Sequence, residues 1–272
     1  MYNHFYGFRE NPFNQTPDSA FFYPSEKHKA ALDAIMFAVK QYKGFVVITG
    51  EIGCGKTTVV RTLLNKMQGK LKTAMITNTH LSPKGVLTMI LEDLGVEYRE
   101  GAKDKLLLRL YDYLIQQARE GMNVVLIIDE AQNLNQTCLE EIRMLSNLET
   151  EKEKLVQIVL VGQPELRKKL ELPNLEQLRQ RISIHYHLTP LGERETKAYI
   201  LHRLNVAKMN GVGYESLFNE EAYESIYRLS RGIPRMINHV CDHALLTGCL
   251  MEARIVTKEI VEETMSEICI RG

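Results

Sequence analysis

The chain has 272 residues, 44% of them hydrophobic and 25% charged, a balance ordinary for a folded globular protein and unlike that of disordered, collagenous or disulfide-scaffold chains. Basic and acidic residues number 34 each, so the strongly basic balance of a nucleic-acid binder is absent and only a local basic face could serve that role. No apolar run approaches the ~20 residues that span a bilayer, and the length fits one large domain or an ordinary domain with a smaller companion.

Residues 1–25 are aromatic and turn-rich, with Phe5, Tyr6, Phe8, Phe13, Phe21, Phe22 and Tyr23 among Pro12, Pro17 and Pro24. They predict an irregular arm packed on the core. The first nine residues have no long apolar stretch, so no signal peptide is expected. Strands and helices then alternate. Residues 45–49 form a short β-rich run, 56–67 a helix, 73–77 a second strand, and 83–94 and 104–119 two helical segments. A third strand covers 124–129, an amphipathic helix 137–148, a fourth strand 156–162 and a fifth 182–187. Apolar runs of about five residues suit strands covered by helices on both faces. The alternation predicts a mainly parallel, three-layer α/β sheet of five strands. After Thr189-Pro190 only helical patterns follow, at 193–210, 219–230, 234–251 and 257–268. A core over 26–189 and a small helical bundle over 190–272 are therefore expected.

Gly50-Glu51-Ile52-Gly53-Cys54-Gly55-Lys56-Thr57 matches the phosphate-loop pattern G-x-x-x-x-G-K-[ST]. Glycines let such a loop wrap a polyphosphate with backbone N–H groups turned inward, and the following helix presents its N-terminus to the same anion. The loop follows an apolar strand and opens a helix, as that mechanism requires. ATP is the expected ligand, contacted by residues 50–57 and Thr58. Lys56 would neutralise the β/γ oxygens and Thr57 would hold Mg²⁺. The apolar run 124–128 ends in Asp129 and Glu130, at the carboxyl edge where ligands sit in open α/β sheets. Asp129 would orient Mg²⁺ through water, and Glu130 would polarise the attacking water. Two acids at a strand end can simply cap the next helix, but the phosphate loop upstream favours the catalytic reading.

Gln163, at the end of the fourth strand, is placed to touch the γ-phosphate or the water; its bland reading is a turn residue. Arg179 and Arg181 flank Gln180 just before the fifth strand, where an arginine can reach a neighbouring subunit's nucleotide, although such a pair is often a solvated face. Gly232-Ile233-Pro234-Arg235 joins two helices of the bundle, and Arg235 at the helix start is read as a contact to the γ-phosphate of its own chain. His239 and His243 have i, i+4 spacing without an evident third metal ligand. His185 and His187 alternate with apolar neighbours and should face out of their strand. The charged run 149–154 reads as a solvated loop. The five cysteines are odd in number and lack C-x-x-C spacing, which predicts reduced thiols and a cytoplasmic location. Any membrane attachment would come through a partner.

The phosphate loop, the Asp129-Glu130 strand end, Gln163, the Arg179/Arg181 segment and Gly232-Ile233-Pro234-Arg235 follow the order found in AAA+ ATPases. Phe5-Tyr6-Gly7-Phe8, Asn11-Pro12-Phe13, Thr16-Pro17-Asp18 and Gly162-Gln163-Pro164-Glu165-Leu166 carry a further resemblance, to the general secretion pathway protein A (ExeA/GspA) family. Leu178-Arg179-Gln180-Arg181-Ile182 and the segment from Leu229 to Asn238 extend it across essentially the whole chain. It implies an AAA+ P-loop core with a helical lid, self-assembly into rings or dimers around nucleotide, and work with an inner-membrane protein in type II secretion or type IV pilus assembly. Long members continue into a membrane segment and a peptidoglycan-binding domain, so this chain resembles the short form and direct peptidoglycan binding is not expected. Arg235 would then sense ATP in cis and Arg181 in trans. A second reading is a DNA-associated regulator of the transposition type, which the balanced charge argues against. A third is a nucleotide-dependent scaffold with negligible turnover.

Overall fold

A computed structural model describes residues 2–16, 18–99, 101–151, 153–209 and 216–269. Pro17 of the arm, Lys152 of the charged loop and Asn210, the expected end of the first lid helix, lie outside the described residues. In chain order the helices are α1 (Tyr2–Tyr6), α2 (Glu26–Lys40), α3 (Lys56–Lys66), α4 (Pro83–Asp93), α5 (Lys103–Arg119) and α6 (Gln136–Leu145). They continue with α7 (Pro164–Leu170), α8 (Glu176–Arg179), α9 (Glu193–Ala207), α10 (Glu220–Ser230), α11 (Pro234–Leu250) and α12 (Lys258–Cys269). The strands are β1 (Phe45–Gly50), β2 (Leu71–Ile76), β3 (Asn123–Ile128), β4 (Val156–Gly162) and β5 (Ile182–Leu188).

The chain forms two compact units. The α/β unit comprises Lys29–Ile52 and Val59–Leu188. Its five strands run parallel in the order β2-β3-β4-β1-β5. The sequence explains which strands lie inside. β1, β3 and β4 are predominantly apolar and buried at every position, as strands covered on both faces must be. The outer strands β2 and β5 alternate buried or half-buried residues with more exposed ones. Exposed His185 and His187 lie on one face of β5 and meet the Thr49 hydroxyl at 3.1 and 2.9 Å. Helix starts are set locally: Ser82 Oγ accepts from the Gly85 N–H at 3.1 Å, and Asn135 Oδ1 from the Cys138 N–H at 2.8 Å. Side chains from α4, α5 and α6, among them Leu87, Leu91, Leu106, Leu114 and Ile142, share one core with the strands.

The helical unit comprises Met1–His28, Gly53–Thr58 and Thr189–Gly272. Its core joins Ile200, Leu204, Ile226, Ile237, Val240 and Leu245 from α9, α10 and α11 to Tyr2, Tyr6, Phe8, Phe13 and Phe21 of the N-terminal segment. The arm expected on the α/β core is thus packed among the helices after residue 189. The Tyr2 hydroxyl donates to Asp242, and the Tyr6 hydroxyl to the Ala253 carbonyl at 2.9 Å. The buried Arg203 guanidinium donates to the carbonyls of Pro12 at 2.5 Å and Asn14 at 3.2 Å. A buried guanidinium needs acceptors, and the arm supplies them as backbone carbonyls. The arm also opens with the short helix α1 in place of the irregular segment that its composition predicts.

Candidate functional site

The strand register aligns the ends from which the candidate residues project. Thr49 pairs with Gly162 across β1 and β4, and Ile128 with Leu160 across β3 and β4. Gly50, Gln163 and Asp129 therefore leave the sheet at one carboxyl edge, with β3 two strand spacings, about 10 Å, from β1. The chain jumps over β1 between β4 and β5, which makes this edge a crossover point of the kind that holds ligands in open α/β sheets.

Three glycines of the 50–57 loop have stated reasons to be glycine. A Cβ on Gly50 would lie 2.6 Å from the Leu188 carbonyl oxygen. Gly53 and Gly55 have φ of +83° and +89°, the left-handed region that costs other residues free energy. The Gly53 carbonyl accepts from the Arg235 backbone N–H at 3.2 Å, so the start of α11 is bound to the loop within the helical unit. The Arg235 side chain is exposed. Pro234 supplies the first turn of α11, where a missing N–H has no cost.

Lys56 is the first residue of α3 and only 6% exposed. A helix N-terminus repels a cation, and a lysine is seldom this buried. An anion held by the loop would reconcile both features. The loop passes the same test on its backbone: left-handed Gly53 and Gly55, on either side of Cys54, curve the loop into a concavity suited to phosphate oxygens. Glu51 and Ile52 are exposed, Cys54 is buried, and Thr57 and Thr58 are partly buried at the start of α3.

At the end of β3, Asp129 is buried and its Oδ1 accepts from the Glu130 N–H at 2.9 Å. Its own N–H donates to the Ile76 carbonyl at 2.9 Å, which fixes the acid to the sheet edge. Glu130 is left-handed, at φ 51° and ψ 37°. A non-glycine residue held there is a strained position, and such positions cluster at functional sites. Gln163 Nε2 donates to Glu130 Oε2 at 3.0 Å, so the structure brings these two predicted residues into contact. Gln132, which no motif in the sequence singles out, donates to the same oxygen at 2.6 Å, while its own oxygen accepts from the Gln163 N–H at 3.0 Å. One amide thus joins the ends of β3 and β4 and orients the Glu130 carboxylate.

Arg181 is partly exposed and donates to Ser146 Oγ at 3.4 Å, and Arg179 is exposed and donates to the Glu171 carbonyl at 3.3 Å. Both stand away from Glu130 in their hydrogen bonding. His239 and His243 stack edge to face with centroids 4.6 Å apart, and no group of three or more metal-ligating side chains occurs among the described residues. No helix among the described residues is long and apolar enough to cross a membrane.

Comparison with known proteins adds family context. Residues 39–170, which hold the loop, Asp129, Glu130 and Gln163, match an AAA domain. Over 249 residues the chain is 41% identical to general secretion pathway protein A of Aeromonas hydrophila, covering 91% of this chain and 45% of that protein. The chain therefore spans less than half the length of this relative. Among solved structures it is similar to the Aeropyrum pernix ORC1 protein in complex with DNA, with TM-score 0.71 and 17% identity over 96% of this chain and 70% of that one. It is also similar to the Thermotoga maritima RuvB Holliday junction branch migration motor, with TM-score 0.61 and 21% identity over 93% and 72%. At such identities these two likenesses report the fold: a parallel P-loop sheet followed by helices.

Proposed function

We propose that this chain, which matches an AAA domain over residues 39–170 and is similar to general secretion pathway protein A, binds Mg-ATP at residues 50–57 and hydrolyses it to drive a conformational switch. The observation that carries the reading is Lys56, a buried cation at the start of α3 behind two left-handed glycines. Lys56 offsets charge on the β/γ oxygens, and the backbone N–H groups from Gly50 to Thr58 cradle the phosphates. Thr57 and Asp129 hold Mg²⁺, which when bound neutralises phosphate charge. Glu130 positions and polarises the attacking water, with Gln163 beside it at 3.0 Å. Arg235 contacts the nucleotide of its own chain, and Arg181, with Arg179 as the alternative, that of a neighbour in a ring or dimer. Residues 26–189 act as the ATPase core and 190–272 as the lid domain.

The 41% identity to general secretion pathway protein A supports work at a secretion or pilus assembly apparatus, at the cytoplasmic face of the inner membrane and through a partner there. The equal numbers of acidic and basic residues support this over a DNA-linked role. Calorimetric titration with Mg-ATP tests the site: wild type binds, and Lys56→Ala loses measurable binding because phosphate charge is left uncompensated. Unchanged affinity in Lys56→Ala would sink the assignment.

A further inference from the structure

One buried histidine outside the loop motif reaches the phosphate loop. His28 lies in the first turn of α2 and is 6% exposed. Its Nε2 stands 2.8 Å from the Cys54 carbonyl oxygen and its Nδ1 2.7 Å from Ser25 Oγ. A carbonyl oxygen can only accept, so Nε2 carries the hydrogen. The neutral ring then accepts at Nδ1, from the Ser25 hydroxyl. Ser25 Oγ in turn accepts from the His28 backbone N–H at 3.4 Å. Burial pushes the ring's pKa down, in keeping with a neutral imidazole.

Cys54 sits between the two left-handed glycines, Gly53 and Gly55. A trans peptide is planar, with its carbonyl and the following N–H on opposite sides. Holding the Cys54 carbonyl toward His28 therefore turns the Gly55 N–H the other way. The Arg235 backbone N–H treats the preceding peptide alike by holding the Gly53 carbonyl at 3.2 Å, which turns the Cys54 N–H away from Arg235. Two successive peptides of the loop are thus pinned from outside the motif. The fit at His28 is tight, since a Cβ on Gly55 would come within 3.0 Å of Nε2.

We propose that His28 is a positioning residue for the phosphate loop, holding the Cys54–Gly55 peptide so that the Gly55 N–H faces a nucleotide's phosphates. It acts through the backbone without touching nucleotide, and Ser25 fixes the tautomer that lets it do so. The inference rests on the reading of residues 50–57 as the nucleotide loop.

The test measures the affinity of a fluorescent ATP analogue with Mg²⁺, together with thermal stability, in wild type, His28→Ala, His28→Gln, His28→Asn and Lys56→Ala. The Gln amide carries an N–H near the Nε2 position, whereas the Asn amide stops near Nδ1, short of the Cys54 carbonyl. His28→Ala and His28→Asn should each weaken binding about tenfold, and His28→Gln should stay within about threefold of wild type. If His28→Ala does not fold, the Gln and Asn pair decides alone. Equal affinities in those two variants would overturn the proposal, as would wild-type affinity in His28→Ala while Lys56→Ala has lost binding. Retained binding in Lys56→Ala would instead overturn the loop reading beneath it, so the two failures are distinct.

Discussion

Gly53 occupies a position that the phosphate-loop pattern leaves open to any residue, yet its surroundings demand glycine. In Gly53→Ala the new Cβ would lie 2.6 Å from Arg235 Cβ and 3.2 Å from Ile233 Cγ2, at φ +83°. Arg235 Cβ is one bond from the backbone, so no rotamer change relieves the overlap and either the loop or the start of α11 must shift. The left-handed backbone costs about 1–2 kcal/mol and the overlap about 1–3 kcal/mol more, roughly 2–5 kcal/mol together. Gly69→Ala is the internal control. Gly69 has φ +79°, and a Cβ there would meet nothing within 4 Å, so it isolates the backbone cost of about 1–2 kcal/mol. The remaining 1–3 kcal/mol at Gly53, if borne by the loop, corresponds to a loss of about 5- to 150-fold in nucleotide affinity. Urea unfolding and calorimetric Mg-ATP titration of both variants separate the two contributions. Gly53→Ala with wild-type affinity, and no less stable than Gly69→Ala, would refute the steric reasoning.

Mixing variants tests the arginine roles. Arg181→Ala combined with Lys56→Ala should regain part of the ATPase activity that each lacks alone, because one retains the site and the other the finger. Arg235→Ala with Lys56→Ala should not recover; rescue of that pair would contradict a cis role. Stability should also respond to pH through histidines whose charged form the fold disfavours. His28, His185, His202 and His239 all have pKa values pushed down, chiefly by burial. Their unfolded forms take up protons first, near pH 6.5, so stability is full above that value and lost as pH falls through the folded pKa values. The urea midpoint should drop between about pH 7.5 and about pH 5.5, and drop less in His28→Gln; a rising midpoint would contradict the burial argument.

The parts of the fold that are legible in the sequence are those where one physical rule acts alone. β1, β3 and β4 are covered on both faces, so their sequences are dominated by apolar runs and their ends lie within a residue or so of expectation. The 50–57 loop is legible because its chemistry is local. α2 is missing from the predicted elements, although buried Ala31, Leu32, Ile35, Ala38 and Val39 have helical spacing in it. α7 is only seven residues long, with Leu166 and Leu170 buried, too short for periodicity to register. The arm's aromatic residues announce that they must be buried but not against what; Arg203, buried among its carbonyls, lies 191 residues from Pro12. Gln132 and His28 are invisible for the same reason. Each is an ordinary polar residue whose partner lies far along the chain, at Gln163 and Cys54, and no spacing rule connects such pairs.

The most direct measurement is phosphate release from Mg-ATP by wild type and Glu130→Gln, with ATP affinity determined on the same preparations. The amide keeps the shape of the carboxylate and loses its basicity, so only the water step should suffer. Wild type should turn over, and Glu130→Gln should bind ATP with unchanged affinity while releasing phosphate at least about 100-fold more slowly. Turnover in Glu130→Gln close to wild type, or a wild-type chain that binds ATP and releases no phosphate, would contradict hydrolysis at this site.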